Sequence, residues 1–428
     1  MTLPGAAETS VSRDWATGHA HGGGTAVVTG IGVAAPNGLG ADAYWESTLR
    51  GESGIVPVTG YDASGYPMCL AGVIRDFVSG DHLPGRLLPQ TDRVTRLALT
   101  AAEWALADAG VHTESLPEYG MGVVTSNASG GFEFTHREIR KLWTQGPERV
   151  SVYESFAWFY AANTGQISIR HGMRGASSVI VAEQAGGLDA VGHARRTLRK
   201  GAALVVTGGM ESSLDPWGLV SHISGGRLSR ERDPRLAFLP FDTRACGHVP
   251  GEGGAVLIVE DLSQARARGA PREYGEIAGY AASFDARPRS GRPSGLRRAA
   301  EAAIADAGLA PADIDVVFAD AAGVPGEDRA EAEAITMIFG PYGVPVTVPK
   351  TLIGRLYAGG PPLDLVAALL AIRDGVIPPI ANVDRPVPAD RLDLVRGEPR
   401  PAVIRAALVL ARGRGGFNSA IVIRKVRS

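Results

Sequence analysis

The feature that most constrains the fold is an alternation between short runs of β-branched residues and longer stretches rich in Ala, Leu and Arg. It begins at Thr25 and continues almost to the C-terminus. Such alternation predicts strands followed by helices, which is the pattern of an α/β fold. Most predicted strands are continuous apolar runs, so we expect sheets that are covered on both faces.

The elements are predicted from these runs and from their flanking residues. The predicted strands are 26–31, 121–125, 178–182, 203–207 and 255–260, then 274–281, 316–319, 345–348, 402–410 and 420–424. The predicted helices include 91–109, with Thr91 as its N-cap, 187–199 and roughly 294–307.

The length of 428 residues suits one large domain or two ordinary ones. The predicted elements are similar in number on either side of the Arg/Pro-rich segment 286–293. We therefore predict two related α/β halves, at residues 25–265 and 266–428, after a disordered leader at 1–24.

Composition excludes several classes of protein. Lys and Arg number 43 against 45 Asp and Glu, so the formal charge of −2 gives no field that would attract nucleic acid. Cys69 and Cys246 are too few for a disulfide scaffold, and no Cys/His cluster predicts a metal site. His19 and His21 lie in the Gly-rich leader and fit a tail better than a metal site. No apolar run approaches the roughly 18 residues that span a bilayer, so we expect a cytoplasmic protein that contacts neither membrane nor nucleic acid.

Gly30 and Gly32 follow a predicted strand and superficially fit a dinucleotide-binding fingerprint. A loop that binds phosphate must open directly into a helix, whereas Pro36, Asn37 and Gly38 predict a turn at that point. We therefore expect no nucleotide cofactor, and nothing else in the sequence predicts another cofactor.

A second motif places Gln184 where the apolar run that begins at Ser178 turns into a helix. A residue at such an elbow has backbone N–H groups and a helix dipole beside it, which suits a nucleophile or an oxyanion. Glutamine is not a nucleophile, because its amide can only donate and accept hydrogen bonds. Taken alone, the motif would favour an ordinary helix start.

Several blocks in register change that interpretation. They are Val-Thr-Gly-Ile-Gly at 28–32, Asn-Thr-Gly-Gln at 163–166, the elbow, Pro-Phe-Asp-Thr-Arg at 240–244, Gly-Glu-Gly-Gly at 251–254 and Gly-Gly-Phe-Asn at 415–418. With them, the chain resembles the β-ketoacyl synthases of fatty acid and polyketide assembly over nearly its whole length. The resemblance implies the thiolase fold, in which two related halves form an α-β-α-β-α layered architecture.

The catalytic triad of that family is missing. Gln184 stands in place of the cysteine, and Asp320 and Arg355 stand in place of the two histidines. All nine histidines lie at or before His248, so no shift of register restores one in the second half.

Other residues near the family's histidines persist. Asp328, Glu331 and Lys350 match the charges that the family keeps there. The phenylalanine that gates the family's acyl pocket is replaced by Arg414, which argues against a conventional pocket at this elbow. The resemblance thus implies that the fold was kept while the reaction was lost.

A glutamine at the elbow without either histidine resembles the chain-length factors, or ketosynthase β subunits, of type II polyketide synthases, and most closely the actinorhodin type. In that family the protein pairs with a catalytic ketosynthase α, and the polyketide grows into a tunnel along the interface. An acyl carrier protein delivers substrates transiently, mainly through the α subunit. We expect the interface to include the strand at 178–182 and the segment around 130–142.

The segment from Gly130 to Trp143 matches the family's tunnel-lining helix. Phe132, Thr135 and Ile139 are spaced i, i+3 and i+7, so they share one helix face. Without the family context, such a stripe would more often be plain core. Phe132 suggests a tunnel of octaketide size, and Ile139, where actinorhodin-type proteins carry a larger aromatic residue, leaves room for a slightly longer product.

Two alternatives remain open. Gln184 also resembles the glutamine of loading-module ketosynthases, which decarboxylate a malonyl group to form the acetyl starter, but those modules retain the histidines that this chain lacks. The basic residues at 195–200 and 227–235 could receive an acidic carrier protein, although a solvated helix end is the simpler interpretation.

Overall fold

A computed structural model describes residues 24–287 and 295–427. His19, His21 and all of the predicted leader except Gly24 lie outside the described residues, as does Ser294 at the predicted start of a helix. The strands of the first half are β1 (Ala26–Ala35), β2 (Gly38–Leu39), β3 (Ile55–Pro57), β4 (Leu70–Gly72), β5 (Met121–Ser126), β6 (Ser177–Ile180), β7 (Leu204–Glu211) and β8 (Gly253–Asp261). Those of the second half are β9 (Gly275–Phe284), β10 (Val316–Phe318), β11 (Pro345–Thr347), β12 (Val376–Ile377), β13 (Asp393–Leu394), β14 (Arg400–Pro401), β15 (Ala406–Gly413) and β16 (Phe417–Arg424).

The helices follow the strands in the expected alternation. Those of the first half are α1 (Ala41–Leu49), α2 (Ser79–His82), α3 (Arg93–Asp108), α4 (Phe132–Gln145), α5 (Glu154–Ala157), α6 (Ala162–Arg170), α7 (Ala185–Arg199), α8 (Pro216–Ser224) and α9 (Leu262–Ala267). Those of the second half are α10 (Gly295–Asp306), α11 (Pro325–Phe339) and α12 (Gly360–Asp374).

The strand order shows that the two halves have one topology. The main sheet runs β13-β11-β10-β15-β16-β9-β1-β8-β7-β5-β6, and β1 and β9 join the halves at its centre. Numbered within its own half, the set β1, β5, β6, β7, β8 and the set β9, β10, β11, β15, β16 both have the spatial order 1-5-4-2-3, with antiparallel pairs near the centre and parallel pairs toward the edge. The prediction of two related α/β halves is therefore confirmed.

Helices cover the sheet on both faces. α7 and α12 pack against each other and against strands of both halves, so they form a middle layer. α3 packs on β1, β7 and β8, while α10 packs on β9, β15 and β16, so these two helices form the outer layers. From Gly360 to Ile372 every residue of α12 is buried, as expected for a helix packed between the first-half and second-half strands of the sheet. The α-β-α-β-α layering of the thiolase fold is confirmed.

Several predicted bounds were wrong for identifiable reasons. The N-cap of α3 is Asp92, whose side chain accepts from the Val94 N–H, whereas the Thr91 hydroxyl donates to the Leu87 carbonyl. The strand predicted at 402–410 begins at Ala406, because residues 402–405 form the connection from β14 to β15. The strand predicted at 178–182 ends at Ile180, where the chain turns toward α7.

The turn at Pro36 is confirmed, since β1 folds back there onto β2 and no helix opens at this point. Within residues 24–287 and 295–427, no helix is long and apolar enough to cross a membrane.

Candidate functional site

Gln184 lies at the N-cap of α7, after a three-residue turn that follows β6. The residue before it, Glu183, has a positive φ of 50°, so the chain turns sharply there, as the sequence predicts for an elbow. The side chain of Gln184 is completely buried. Its amide oxygen has no hydrogen-bond partner among the described residues.

The structure brings Gln184, Asp320 and Arg355 into one buried network. Gln184 Nε2 donates to Asp320 Oδ1 at 2.6 Å, and Arg355 Nη2 lies 3.2 and 3.1 Å from the two carboxylate oxygens. The backbone N–H of Arg412, on β15, also donates to Asp320 Oδ1, at 2.9 Å. An internal ion pair and an amide thus fill the place where the resemblance implies a nucleophile and two histidines.

The charges in this network stabilise each other. Burial alone would raise the pKa of Asp320, but the nearby Arg355 and Lys350 hold that pKa below its usual range. Burial would lower the pKa of Arg355, but the carboxylates of Asp320 and Glu183 hold it above its usual value. Both groups are therefore charged at neutral pH, and neither can serve as a general acid or base there.

The persistent charges support the backbone of this centre. Glu331 accepts from the N–H groups of Asp320 and Ala321 at 2.7 and 2.8 Å. Lys350 Nζ donates to the Asp320 carbonyl at 2.9 Å and is paired with Asp364 at 2.7 Å. These contacts hold the loop after β10 in place whether or not the loop carries a histidine.

Asp328 has a similar structural role. Its carboxylate accepts from the N–H groups of Gly323 and Phe241, at 3.0 and 3.1 Å. Burial raises the pKa of Asp328 to about 8, and burial together with the charge on Asp320 raises the pKa of Glu331 to about 7. The sequence comparison located these carboxylates but did not predict which N–H groups they bind.

Two backbone N–H groups converge beside the elbow on one carboxylate oxygen, Glu183 Oε2. The Gln184 N–H lies 3.0 Å from this oxygen and the Arg414 N–H lies 2.8 Å from it. Paired backbone donors of this kind stabilise an oxyanion in acyl-transfer enzymes. Here the position is occupied by a side chain of the protein itself. Sequence reasoning missed Glu183, although its place directly before the elbow residue was an available signal.

The predicted tunnel residues lie on α4, which has three different faces. Phe134 and Glu138 point into this chain and are buried. Phe132, Thr135 and Ile139 form a second face that is half-buried to exposed, with Ile139 38% exposed. The Phe132 ring packs against Trp217 at a centroid distance of 4.8 Å. The three residues share a face as predicted, but that face is not part of the buried core of this chain.

The third face of α4 lines a mixed polar cleft of about 650 Å³. Its inner charges are paired, since Arg93 binds Glu252 at 2.7 Å and His136 binds Asp215 at 2.8 Å. Nowhere in the described ranges do three His, Cys, Asp or Glu side chains group so as to hold a metal ion.

The basic cluster at the end of α7 is only partly a solvated helix end. Arg196, Arg199 and Lys200 are exposed, but Arg195 is buried and forms an ion pair with Asp306. Its guanidinium also donates to the Ala278 carbonyl at 2.6 Å. Arg195 therefore joins α7 to α10 and β9 and is not available to a carrier protein.

The comparisons with known proteins agree with this geometry. The family model of the β-ketoacyl synthase N-terminal domain matches residues 25–265, and that of the C-terminal domain matches residues 274–384. The chain is 64% identical to the actinorhodin polyketide β-ketoacyl synthase 2 of Streptomyces coelicolor, over 93% of this chain and 98% of that protein. It is 60% identical to the tetracenomycin polyketide synthase ketoacyl synthase β subunit of Streptomyces glaucescens, over the same shares of the two chains.

Among solved structures, the ishigamide ketosynthase/chain length factor superposes with a TM-score of 0.87 at 26% identity, covering 94% of this chain and all of that one. The fold and the order of its motifs are those of the β-ketoacyl synthases, and the chain belongs to that family. Within it, the chain is a ketosynthase β subunit, or chain-length factor, of the actinorhodin-like type II polyketide synthases.

Proposed function

We propose that this chain is the non-condensing subunit of a ketosynthase heterodimer, in which it forms one wall of the tunnel that receives and measures the growing polyketide. One observation supports the inference that this chain has lost condensing activity. The buried Gln184, Asp320 and Arg355 bind one another, and Glu183 binds both N–H donors at the elbow. The centre therefore offers no thiolate for an acyl group, no imidazole at either of the family's two histidine positions and no free pair of donors for an enolate.

The unpaired edge of the main sheet supports a partner on the β6 side. Among the described strands, β6 pairs only with β5, and its residues are half-buried to exposed, whereas β5 and β7 are fully buried. An edge strand without protection is normally covered in the native assembly. A strand of the ketosynthase α subunit that pairs with β6 would extend the sheet and bury this edge.

Apolar side chains are exposed on the same side. They lie on α4, on the segment after it and just beyond β6, and we call them the apolar rim: Ile139, Leu142, Trp143, Val152, Trp158, Phe159 and Val181. Trp143 is 82% exposed and Val152 is 77% exposed. Clustered apolar exposure of this kind marks an interface, and an obligate one commonly buries roughly 2,000 Å² or more. The apolar rim fits a ketosynthase α subunit.

The tunnel assignment follows from the same helix. The face that carries Phe132, Thr135 and Ile139 is continuous with the apolar rim, since Ile139 belongs to both, so a partner at the rim would enclose it. A chain that grows from a cysteine of the partner would meet these side chains as a wall. Their volume would then limit the product to octaketide size or slightly longer. The carrier protein would dock mainly on the α subunit.

The test is reconstitution with a ketosynthase α subunit that retains its cysteine and two histidines. We expect polyketide from the heterodimer, none from this chain alone, and loss of the complex on Trp158→Glu. Val403→Glu is the matched control, because Val403 is 83% exposed but lies on the second half, away from the rim. Condensation by the isolated chain, or a stable monomer that does not bind the α subunit, would contradict the proposal.

A further inference from the structure

The N-terminus of α4 has no cap of its own. Its N-cap residue is Gly131, which has no side chain, so the first N–H groups of the helix need acceptors from elsewhere. The N–H of Phe134 finds one in Asp92 Oδ2, at 2.7 Å. Asp92 lies 42 residues earlier in the chain, at the start of another helix.

Asp92 caps two helices at once. Its other oxygen, Oδ1, accepts from the Val94 N–H at 2.8 Å and so caps α3. The side chain is 1% exposed, and its carboxylate lies at the positive ends of both helix dipoles. Because α3 packs on the central strands β1, β7 and β8, Asp92 ties the first turn of α4 to a rigid part of the core.

The surroundings leave α4 little freedom to start elsewhere. The Gly131 N–H donates to the Trp158 carbonyl at 3.0 Å, and a Cβ at Gly131 would lie 2.0 Å from the Ala157 carbonyl oxygen. Before the helix, Glu211 at the end of β7 is buried and accepts from the N–H groups of Ala128 and Ser129. The approach to α4 is therefore held by backbone contacts and Glu211, and the helix itself is held by Asp92.

We propose that Asp92 is a positioning residue for chain length. It fixes the position of the first turn of α4, which forms part of the tunnel wall. The proposal rests on the proposed function, in which α4 lines the tunnel. Phe132 and Thr135 lie within one helical turn of the Phe134 N–H that Asp92 holds, whereas Ile139 lies more than one turn further on. Loss of this contact should displace Phe132 and Thr135 without changing the identity of any side chain in the tunnel wall.

The test is Asp92→Ser in the heterodimer, with products identified by mass spectrometry. Serine is as good an N-cap as aspartate, so α3 keeps its cap, but one short hydroxyl cannot also hold the Phe134 N–H. We expect the share of the main product to fall at least about twofold, while shorter and longer products appear. A twofold change requires only a small loss of discrimination between chain lengths. Asp261→Ser, the same change at the N-cap of α9, is the matched control and should leave the product pattern unchanged.

Phe132→Ala, measured in parallel, separates the two proposals. If Phe132→Ala changes product length and Asp92→Ser does not, the role of Asp92 is refuted while the tunnel stands. If neither variant changes it, the tunnel assignment itself fails. Should Asp92→Ser not assemble with the partner, Asp92→Asn keeps the shape and loses one acceptor. A loss of assembly in both variants would show that Asp92 serves folding alone and would also overturn the inference.

Discussion

Gln184 donates its side-chain amide to Asp320 across 2.6 Å, in a site that is inaccessible to solvent. This contact joins the elbow of the first half to the loop after β10 in the second half, where the resemblance implies the nucleophile and the first of the two histidines. Here the two halves meet through a structural hydrogen bond. The centre has become part of the core, and its residues should behave as core residues in experiments.

Asp320→Ala should destabilise the folded chain by about 3 to 5 kcal/mol, because it leaves Arg355 charged, buried and unpaired. Chemical denaturation of the heterodimer measures this change. Asp233→Ala, the control, breaks a solvent-exposed pair with Arg235 and should change the stability much less. If Asp320→Ala with Arg355→Met lost as much stability as the sum of the two single changes, the two residues would not be coupled.

Gln184→Ala should leave chain elongation by the heterodimer largely intact, since the proposed function places the covalent thioester on the partner. The lost hydrogen bond to Asp320 should cost on the order of 1 kcal/mol of stability. Product titre checks the expectation on elongation, and thermal unfolding checks the expected loss of stability. If the variant abolished priming and an externally supplied acetyl starter rescued it, Gln184 would be a decarboxylase residue and our interpretation would fail.

Gln184→Cys should not restore acyl transfer. The new thiol would have Asp320 and Arg355 as neighbours, with no histidine to activate it, and Glu183 would still occupy both N–H donors at the elbow. Intact-protein mass spectrometry after incubation with an acyl thioester should show no added acyl group on this chain. The active-site cysteine of the α subunit serves as the positive control in the same sample. Rapid acylation of Cys at this position would contradict the account.

Stability should fall as the pH is lowered from about 6.5 to about 4, in part through His222. Burial lowers the pKa of His222 from 6.5 to about 4, so in that window the unfolded chain binds a proton that the folded chain does not. The unfolded state is therefore favoured as acid is added. His222 stacks on Tyr357 at 4.3 Å, and His222→Phe preserves an aromatic ring there while it removes the titration. The variant should show a shallower loss of unfolding free energy over this window, and an unchanged slope would exclude His222 as a contributor.

The sequence predicted two α/β halves from its apolar runs and the shared face of α4 from its spacing, and its resemblance to the β-ketoacyl synthases implied the layering and the triad positions. It did not predict the partners of Glu183 or Asp92. Glu183 reaches the Arg414 N–H only because the β15–β16 turn closes over the elbow, and Asp92 reaches Phe134 only because α3 and α4 start side by side. Such contacts join segments far apart in the chain, and no local pattern encodes them.

The most direct test of the account is the length of the polyketide made when the tunnel wall is reduced. Phe132→Ala with Ile139→Ala removes two side chains from the exposed face of α4, and the space, which in a core would cost roughly 2 to 5 kcal/mol, can be filled by further ketide units. Arg140→Ala, on the exposed cleft face of the same helix, is the control. Mass spectrometry of the products from the reconstituted heterodimer should show longer polyketides for the double variant and the original length for the control. An unchanged chain length at comparable titre would mean that this face of α4 does not measure the product.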